Sequence, residues 1–487
     1  MKTIDTITFG TSGYRGVIGD TFTIPHVTAI GLAIASYVKL KQDNPRLILG
    51  FDPREGNTTD YADTSFVAAI IQALQAMDVK VDCCRWPTPT PVISWAITHF
   101  NLSGGIILTA SHNPTDYNGI KLNDYNGAPA SLEATQYISQ SASTYLIDLP
   151  KLPPIQRFRR RYSNYERGFT RHLKNIMFNL FPSHNKKPIS SIAISIDAKH
   201  GACARTWREI SDQFHHLSCR IRHGEPLPDF GGQHPNPTQI EHLTVLQETI
   251  INDAAHFGIA NDPDGDRHVI LDEKGIALSP EEVAAIIAHY LGHQKNTRFT
   301  TIMTTLASSQ LMRRVAIKWG LHFIETPIGF KYFTPHLEAL RHNASLGLAV
   351  ESSGGFTLSH HTMEKCGFLP GLLMAFICHD TGQSVSQLRQ CIYDEYGHYY
   401  FIEDAMTVDS SRRSLPTQRD ILQPHFNSKI QSINDTDGVK LILEEDQWIL
   451  ARPSGTEPVI RLYSEASKKS QAESLIRSMK SVLNCPE

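Results

Sequence analysis

Short runs of consecutive apolar residues alternate along the chain with longer segments in which apolar residues recur every three or four positions. The short runs are residues 46–51, 105–110, 192–197, 257–262, 301–307 and 346–351, with the length and continuity of strands buried on both faces. The longer segments read as helices. Residues 25–41 place Ile30, Ile34, Tyr37 and Val38 on one face, with Pro25 suited to the first turn. Ser279-Pro280-Glu281-Glu282 spells a capping box, for which Gly292 supplies a stop. Ala472, Leu475, Ile476, Met479, Val482 and Leu483 form the stripe of a closing amphipathic helix. Strand and helix in alternation predict α/β domains with largely parallel sheets, whose ligands bind beyond the carboxyl ends of the strands. Polar clusters fall there: Thr109–Pro114, Asn261–Asp266 and Glu351–Gly355 each end or directly follow an apolar run.

At about 150 residues per domain, 487 residues predict three or four domains. Composition breaks divide the chain into 1–150, 151–275, 276–395 and 396–487. The first break is a proline-rich stretch with Arg157, Arg159, Arg160 and Arg161, a solvated linker face or a phosphate patch. Residues 223–238 are rich in loop formers, 393–400 mark a third break, and 412–420 read as loop. No repeat of fixed 20- to 50-residue period is visible.

With 46 basic and 49 acidic residues the formal charge is −3, so no basic field exists to hold nucleic acid. The opening segment carries Asp5 inside any would-be apolar core, and no apolar run is long enough for a membrane span. The expectation is a cytoplasmic protein without a membrane partner. Eight cysteines lacking C-x-x-C spacing read as reduced packing thiols, and 23 histidines lacking H-E-x-x-H spacing as surface or packing residues.

Four loops carry chemistry. Asp262, Asp264 and Asp266 alternate on a stiff turn, and their mutual repulsion calls for a hard divalent cation such as Mg²⁺. An EF-hand register ending at Glu273 fails because Arg267 occupies the position that needs glycine. Ser111 sits on a loop after an apolar strand, with Lys121 ten residues on; beside such a metal loop a serine phosphoester becomes a plausible phosphoryl donor. No G-x-S-x-G elbow is present to favour acyl transfer. Arg452, Ser454, Gly455 and Thr456 can wrap a guanidinium, hydroxyls and backbone N–H groups around a phosphate. Glu351 and Ser353 can accept sugar hydroxyls or cap a helix, and Lys331 adds a positive charge nearby in sequence.

In this order, Phe9-GTSGYRG16, TASHNP, DPDGDR and RPSGTEP resemble the loops of the α-D-phosphohexomutase family, covering nearly the whole chain from Phe9 to Ala466. The resemblance implies three related α/β domains and a smaller C-terminal α+β domain, heart-shaped around a central cleft. It makes Ser111 the phosphorylated residue, its phosphate facing Mg²⁺ held by Asp262, Asp264 and Asp266, with Lys121 a general acid/base. Arg15 and Arg267 would stabilise the transferring group, and His112 would shape the serine loop. Lys331, Glu351 and Ser353 would bind sugar, and Arg452, Ser454, Gly455 and Thr456 the distal phosphate.

The implied reaction interconverts hexose 1- and 6-phosphates through a hexose 1,6-bisphosphate that turns end for end, with the fourth domain moving. Glucose is the first expectation, with mannose or glucosamine phosphate behind it. Thr326–Tyr332 and ESSGG look like the phosphoglucomutase-type or the glucomutase/mannomutase branch, but Gly355 replaces the histidine of a G-E-M-S-G-H loop, Cys366 an aspartate and His360 a glycine. A Mg²⁺-dependent phosphohydrolase and a non-catalytic sugar-phosphate sensor are the rival classes. The partners expected are small sugar phosphates, on a monomer or homodimer.

Overall fold

The computed structural model describes residues 6–10, 13–60, 64–156, 160–161, 165–182, 191–294, 297–407, 415–454 and 459–484. Three of its four sheets share one wiring. In the first, Arg46–Phe51 lies between the parallel strands Lys80–Cys84 and Gly104–Leu108, and Gly104–Leu108 reverses into the antiparallel strand Tyr117–Asp124. In the second, Ile192–Asp197 lies between Leu217–Arg222 and Phe257–Asn261, which reverses into His268–Leu271. In the third, Phe299–Thr305 lies between His322–Thr326 and Leu346–Val350, which reverses into Phe356–Leu358. The six apolar runs thus form the central and reversing strands of three equivalent sheets.

This wiring positions the chemistry. The Ser111 loop, the Asp262–Asp266 loop and the Glu351 loop are each the reversal between one of these last parallel strands and its antiparallel partner. The repeat is one of topology: the reversing strands begin at residues 104, 257 and 346, and such unequal spacing leaves no fixed period to find. The fourth sheet, Tyr400–Thr407, Val459–Ala466, Trp448–Pro453, Val439–Leu443 and Ile430–Asn434, is antiparallel throughout. Helix Lys469–Asn484 lays Leu475, Ile476, Met479 and Val482 on it.

One continuous apolar core runs from Ile7 to Tyr396 through the first three domains, whereas the fourth domain has its own. Trp448, Leu450 and Tyr463 of the fourth domain meet Leu306 and Ala307 of the third in a small separate cluster. The proline-rich stretch docks back on the first domain, Gln72 and Gln75 donating to Pro153 and Gln156 carbonyls. Backbone Arg160–Arg161 pairs with Cys83–Cys84 as a sixth strand beyond residue 150; Arg157 and Arg159 lie outside the described residues.

Two local expectations need correction. Helix Ile24–Lys41 is not amphipathic: His26 to Ala35 are all buried, because helices Phe66–Ala76 and Leu132–Ile147 pack on it from two sides. The capping box at Ser279 forms, but Gly292 does not stop the helix, which runs Pro280–His293; a Cβ at Gly292 would meet the Trp319 ring at 2.6 Å, so glycine there permits helix packing. The seven described cysteines are free. No helix among the described residues is long and apolar enough to cross a membrane.

Where the second and third domains meet, the His172 and His361 rings stack at 5.3 Å. His172 Nε2 and both ring nitrogens of His361 have no hydrogen-bond partner among the described residues. Burial, with Arg341 beside it, pushes His172 down to about 4; burial, with His172 and Arg341, holds His361 well below the ordinary imidazole range. Both are therefore neutral when folded and take up protons on unfolding once the pH drops below about 6.5. Stability is fully present above that pH and falls as it approaches 4, at up to about 1.4 kcal/mol per pH unit for each group. Urea unfolding at pH 7.5 and 5.0 is expected to show this loss, reduced in His172→Phe; an equal loss in the variant would assign the acid sensitivity elsewhere.

Candidate active site

Ser111 follows strand Gly104–Leu108 and is held in the left-handed region at φ 53°, fully buried. Its backbone N–H donates to Thr109 Oγ1 (2.8 Å), and Thr109 donates to Asp52 Oδ2 (2.6 Å). The loop is clamped by Arg54, which is 1% exposed. From one guanidinium, Nη2 donates to the carbonyls of Ser111 and Asn113 (both 2.7 Å), and Nη1 to those of Pro114 (2.6 Å) and Tyr117 (2.8 Å). Nε donates to Asp52 Oδ2 at 3.1 Å, and the Phe230 ring of the second domain covers the guanidinium at 4.9 Å. So constrained, Ser111 Oγ donates to Asp262 Oδ2 at 2.5 Å, and His112 Nδ1 lies 3.5 Å from Ser111 Oγ.

Asp262, Asp264 and Asp266 are buried, with oxygens from all three within 4.8 Å of one another. Burial and the two neighbouring carboxylates push Asp262 well above the usual carboxyl range. Burial also opposes ionisation of Asp266, but Lys121, Lys365 and Arg267 override it and hold that carboxyl below its usual range. Asp264 Oδ1 and Asp266 Oδ1 carry no hydrogen bond among the described residues. Buried carboxylates with oxygens left over are the donor set of a hard divalent cation, so the residues fit Mg²⁺. Glu273 instead accepts from Ser384 and Ser386, so no EF-hand forms.

The remaining candidates divide into those the fold gathers and those it leaves apart. Lys121, on strand Tyr117–Asp124, places Nζ 2.6 Å from Asp264 Oδ2 and 2.7 Å from Asp266 Oδ2. Burial disfavours the ammonium, but the two carboxylates outweigh it and hold Lys121 protonated above its ordinary range. Arg15 donates from Nη1 to Asn113 Oδ1 (2.6 Å); burial and neighbouring Arg267 push it down to about 10. Arg267 anchors its backbone N–H on Asp262 Oδ1 (3.0 Å) and lays Nε 3.8 Å from Asp266 Oδ1. Burial, Arg267 and Arg15 keep His112 a neutral imidazole.

Glu351 is buried in a turn between two strands and caps no helix; burial pushes its carboxyl up against the pull of Lys365 and Arg267. Its loop is stitched to the metal loop: Arg267 and Gly355 form a bridge, and His268 N–H donates to Gly354 O at 3.3 Å. Gly354 adopts φ 93°, and a Cβ there would meet His268 O at 2.8 Å. Ser353 is half-buried on the same turn. In the fourth domain, Arg452 Nε donates to Asp437 Oδ1 (2.7 Å), and Asp437 Oδ2 accepts the Ile328 N–H (2.8 Å) of the third. Ser454 N–H donates to Val459 O at 2.8 Å; Gly455 and Thr456 lie outside the described residues. Lys331 stands apart from the carboxylate cluster, its Nζ 5.6 Å from the Tyr332 ring centroid.

Sequence reasoning missed Arg54, Thr90 and Lys365. Thr90 opens helix Thr90–His99 and donates to Asp264 Oδ2 at 2.6 Å, fastening the first domain to the metal loop. Lys365 Nζ lies 3.5 Å from Asp266 Oδ2. The available signals were an Asp-x-Arg immediately after the apolar run 47–51, and a Glu-Lys pair between the apolar Met363 and Cys366.

The first domain of the phosphoglucomutase/phosphomannomutase family matches residues 6–146, the second 167–275, the third 279–396 and the C-terminal domain 417–480. A phosphoglucomutase/phosphomannomutase of Thermococcus kodakarensis is 27% identical over 467 residues, covering 95% of each chain. A phosphoglucosamine/phosphogalactosamine mutase of Sulfurisphaera tokodaii is 26% identical over 482 residues, covering 98% of each. Among solved structures, a family protein of Burkholderia thailandensis shares the fold with a TM-score of 0.77 at 19% identity, covering 98% of both chains. Parafusin of Paramecium, a phosphoglucomutase in open form, does so at 0.74 and 21%, covering 99% of this chain and 95% of its own. Four domains matched in order, each carrying one of the loops described above, place this chain in the phosphoglucomutase/phosphomannomutase family, the phosphohexomutases that isomerise sugar phosphates by intramolecular phosphoryl transfer.

Proposed function

We propose that this chain interconverts glucose 1-phosphate and glucose 6-phosphate through a phosphoserine at Ser111 and a glucose 1,6-bisphosphate intermediate. The observation that carries the reading is the 2.5 Å contact between Ser111 Oγ and Asp262, which sets the nucleophile against the three-aspartate cluster. In this reading Asp262, Asp264 and Asp266 hold Mg²⁺, which when bound neutralises charge on phosphoryl oxygens. Arg15, Arg267 and Lys365 surround the transferring group with fixed positive charge. Lys121, protonated as it stands, gives a proton to the serine oxygen as phosphate departs and recovers one from the sugar hydroxyl. His112 packs the loop as a neutral ring.

Glu351 and Ser353 accept sugar hydroxyls, and Arg452 with Ser454, Gly455 and Thr456 grips the phosphate not being transferred. Two anion sites suit a bisphosphate that reverses between half-reactions. Lys331 reaches substrate only if the third and fourth domains close further. Named relatives include phosphoglucomutases and phosphoglucosamine mutases, so the sugar is settled by rate.

The test compares Mg²⁺-dependent isomerisation of glucose, mannose and glucosamine 1-phosphates, with catalytic 1,6-bisphosphate supplied. Glucose is expected to win by at least about tenfold in kcat/KM, some 1.4 kcal/mol of transition-state discrimination. A lead for another sugar would overturn the glucose assignment. Release of inorganic phosphate without isomerisation would replace the mutase with a phosphohydrolase.

A further inference from the structure

His289 and His293 stand four residues apart in the last turn of helix Pro280–His293. Tyr290 takes the place of the glutamate in H-E-x-x-H, so that motif is absent, but the two histidines keep its separation and share one face of the helix. Their Nε2 atoms face each other at 3.3 Å. An ion held at the zinc–imidazole distance of about 2.0–2.1 Å from each would subtend roughly 105–110°, close to the tetrahedral angle. His293 is exposed and His289 half-buried, so a hydrated ion can reach the pair from solvent and keep water in its remaining positions.

The surroundings fix the rings. His289 Nδ1 lies 2.6 Å from the Tyr396 hydroxyl oxygen, which also accepts the Trp319 Nε1–H at 3.2 Å. With its proton on Nδ1 and donated to that oxygen, His289 presents a bare Nε2. A partner on the far nitrogen is what sets tautomer and orientation in metal-bound histidines. The Trp319 ring packs across both imidazoles, its centroid 5.6 Å from that of His289 and 4.3 Å from that of His293. Gly292 lets the indole come this close.

The electrostatics suit a cation. Burial and neighbouring His293 hold His289 below the ordinary imidazole range, which keeps it in the neutral, ligating form. The pair lies at the C-terminal end of its helix, where the macrodipole is negative. Glu395 and Lys318, the charged side chains beside His289, are bound to each other. Imidazole nitrogen prefers zinc, nickel and copper to Mg²⁺, whereas the all-oxygen aspartate cluster suits the harder ion.

We propose that His289 and His293 form a second metal site, sharing no residue with the aspartate cluster, for a borderline transition ion such as Zn²⁺ or Cu²⁺. The probes are Zn²⁺ by calorimetry and Cu²⁺ by electron paramagnetic resonance, on the full chain without a tag at pH 7.5 in excess Mg²⁺. One saturable Zn²⁺ per chain that Mg²⁺ does not displace is expected, and coupling of the copper electron to two imidazole nitrogens. His293→Gln, at an exposed position, and His289→Gln should each weaken Zn²⁺ at least about tenfold and remove the two-nitrogen signal. Mg²⁺-dependent isomerisation should stay parental in His293→Gln, which also shows that this variant is folded. Absence of a saturable one-to-one site, or His293→Gln with parental Zn²⁺ affinity, overturns the proposal. So does Zn²⁺ binding that Asp262→Asn abolishes and both histidine variants keep, which assigns the ion to the aspartate cluster.

Discussion

Ser111→Ala is expected to lower kcat on the order of 10⁴-fold or more, the scale seen when a nucleophile is removed from an enzyme that forms a covalent intermediate. Phosphoryl incorporation from labelled bisphosphate disappears with it. The backbone should survive, because alanine and serine are comparably strained at φ 53° and Arg54 holds the loop through carbonyls rather than through the hydroxyl. What is lost structurally is one hydroxyl donor to the buried Asp262, a contact worth about 1.5–3 kcal/mol. The variant is therefore folded but less resistant to heat than the parent. Retention of full activity would remove Ser111 from the reaction; circular dichroism separates a folded, inactive variant from a misfolded one.

Arg54→Ala should be the most damaging change outside the reacting residues. It leaves four loop carbonyls without their donor and takes the counter-charge from Asp52, fully buried, which keeps only neutral donors such as Thr109 and Asn57. Breaking a buried pair on one side costs about 3–5 kcal/mol. The loop then loses the geometry that presents Ser111 to Asp262, and misplacing a reacting group by about 1 Å costs on the order of 10²-fold in rate. The expected result is a lower kcat with KM little changed, since Arg54 is turned onto the backbone of the Ser111 loop. Arg54→Lys should rescue little, because one ammonium cannot fork to four carbonyls while pairing with Asp52. A lysine variant with parental kcat would show that charge alone, and not the planar fork, positions the serine.

The residues proposed to react were legible because their chemistry is crowded into short loops after apolar strands, where three aspartates in five residues have few structural excuses. The supporting residues were not, for a physical reason. Arg54 acts on backbone carbonyls some sixty residues away, and nothing in a linear pattern marks a carbonyl that needs a donor. Lys365 stands in a segment that reads as a specificity feature until the fold folds it under Asp266. The helix at Ile24–Lys41 was misjudged because its polar positions, His26 and Thr28 among them, are buried too, which periodicity cannot reveal. That the three α/β domains are related came from the resemblance and not from a visible repeat, because the common wiring is carried by strand order, with different residues at each turn.

The shared core from Ile7 to Tyr396, set against the separate core of the last domain, has an evolutionary reading. Substitutions inside the larger unit are felt by the packing of three sheets at once. The smaller unit, joined through contacts such as Lys440–Glu325 and Asp437–Ile328, can drift, be re-angled or be exchanged while the phosphoryl-transfer end stays fixed. In the reading proposed above, changes at the terminal module thus alter how the phosphate not being transferred is gripped, while the sugar loop at Glu351 stays inside the larger unit with the chemistry.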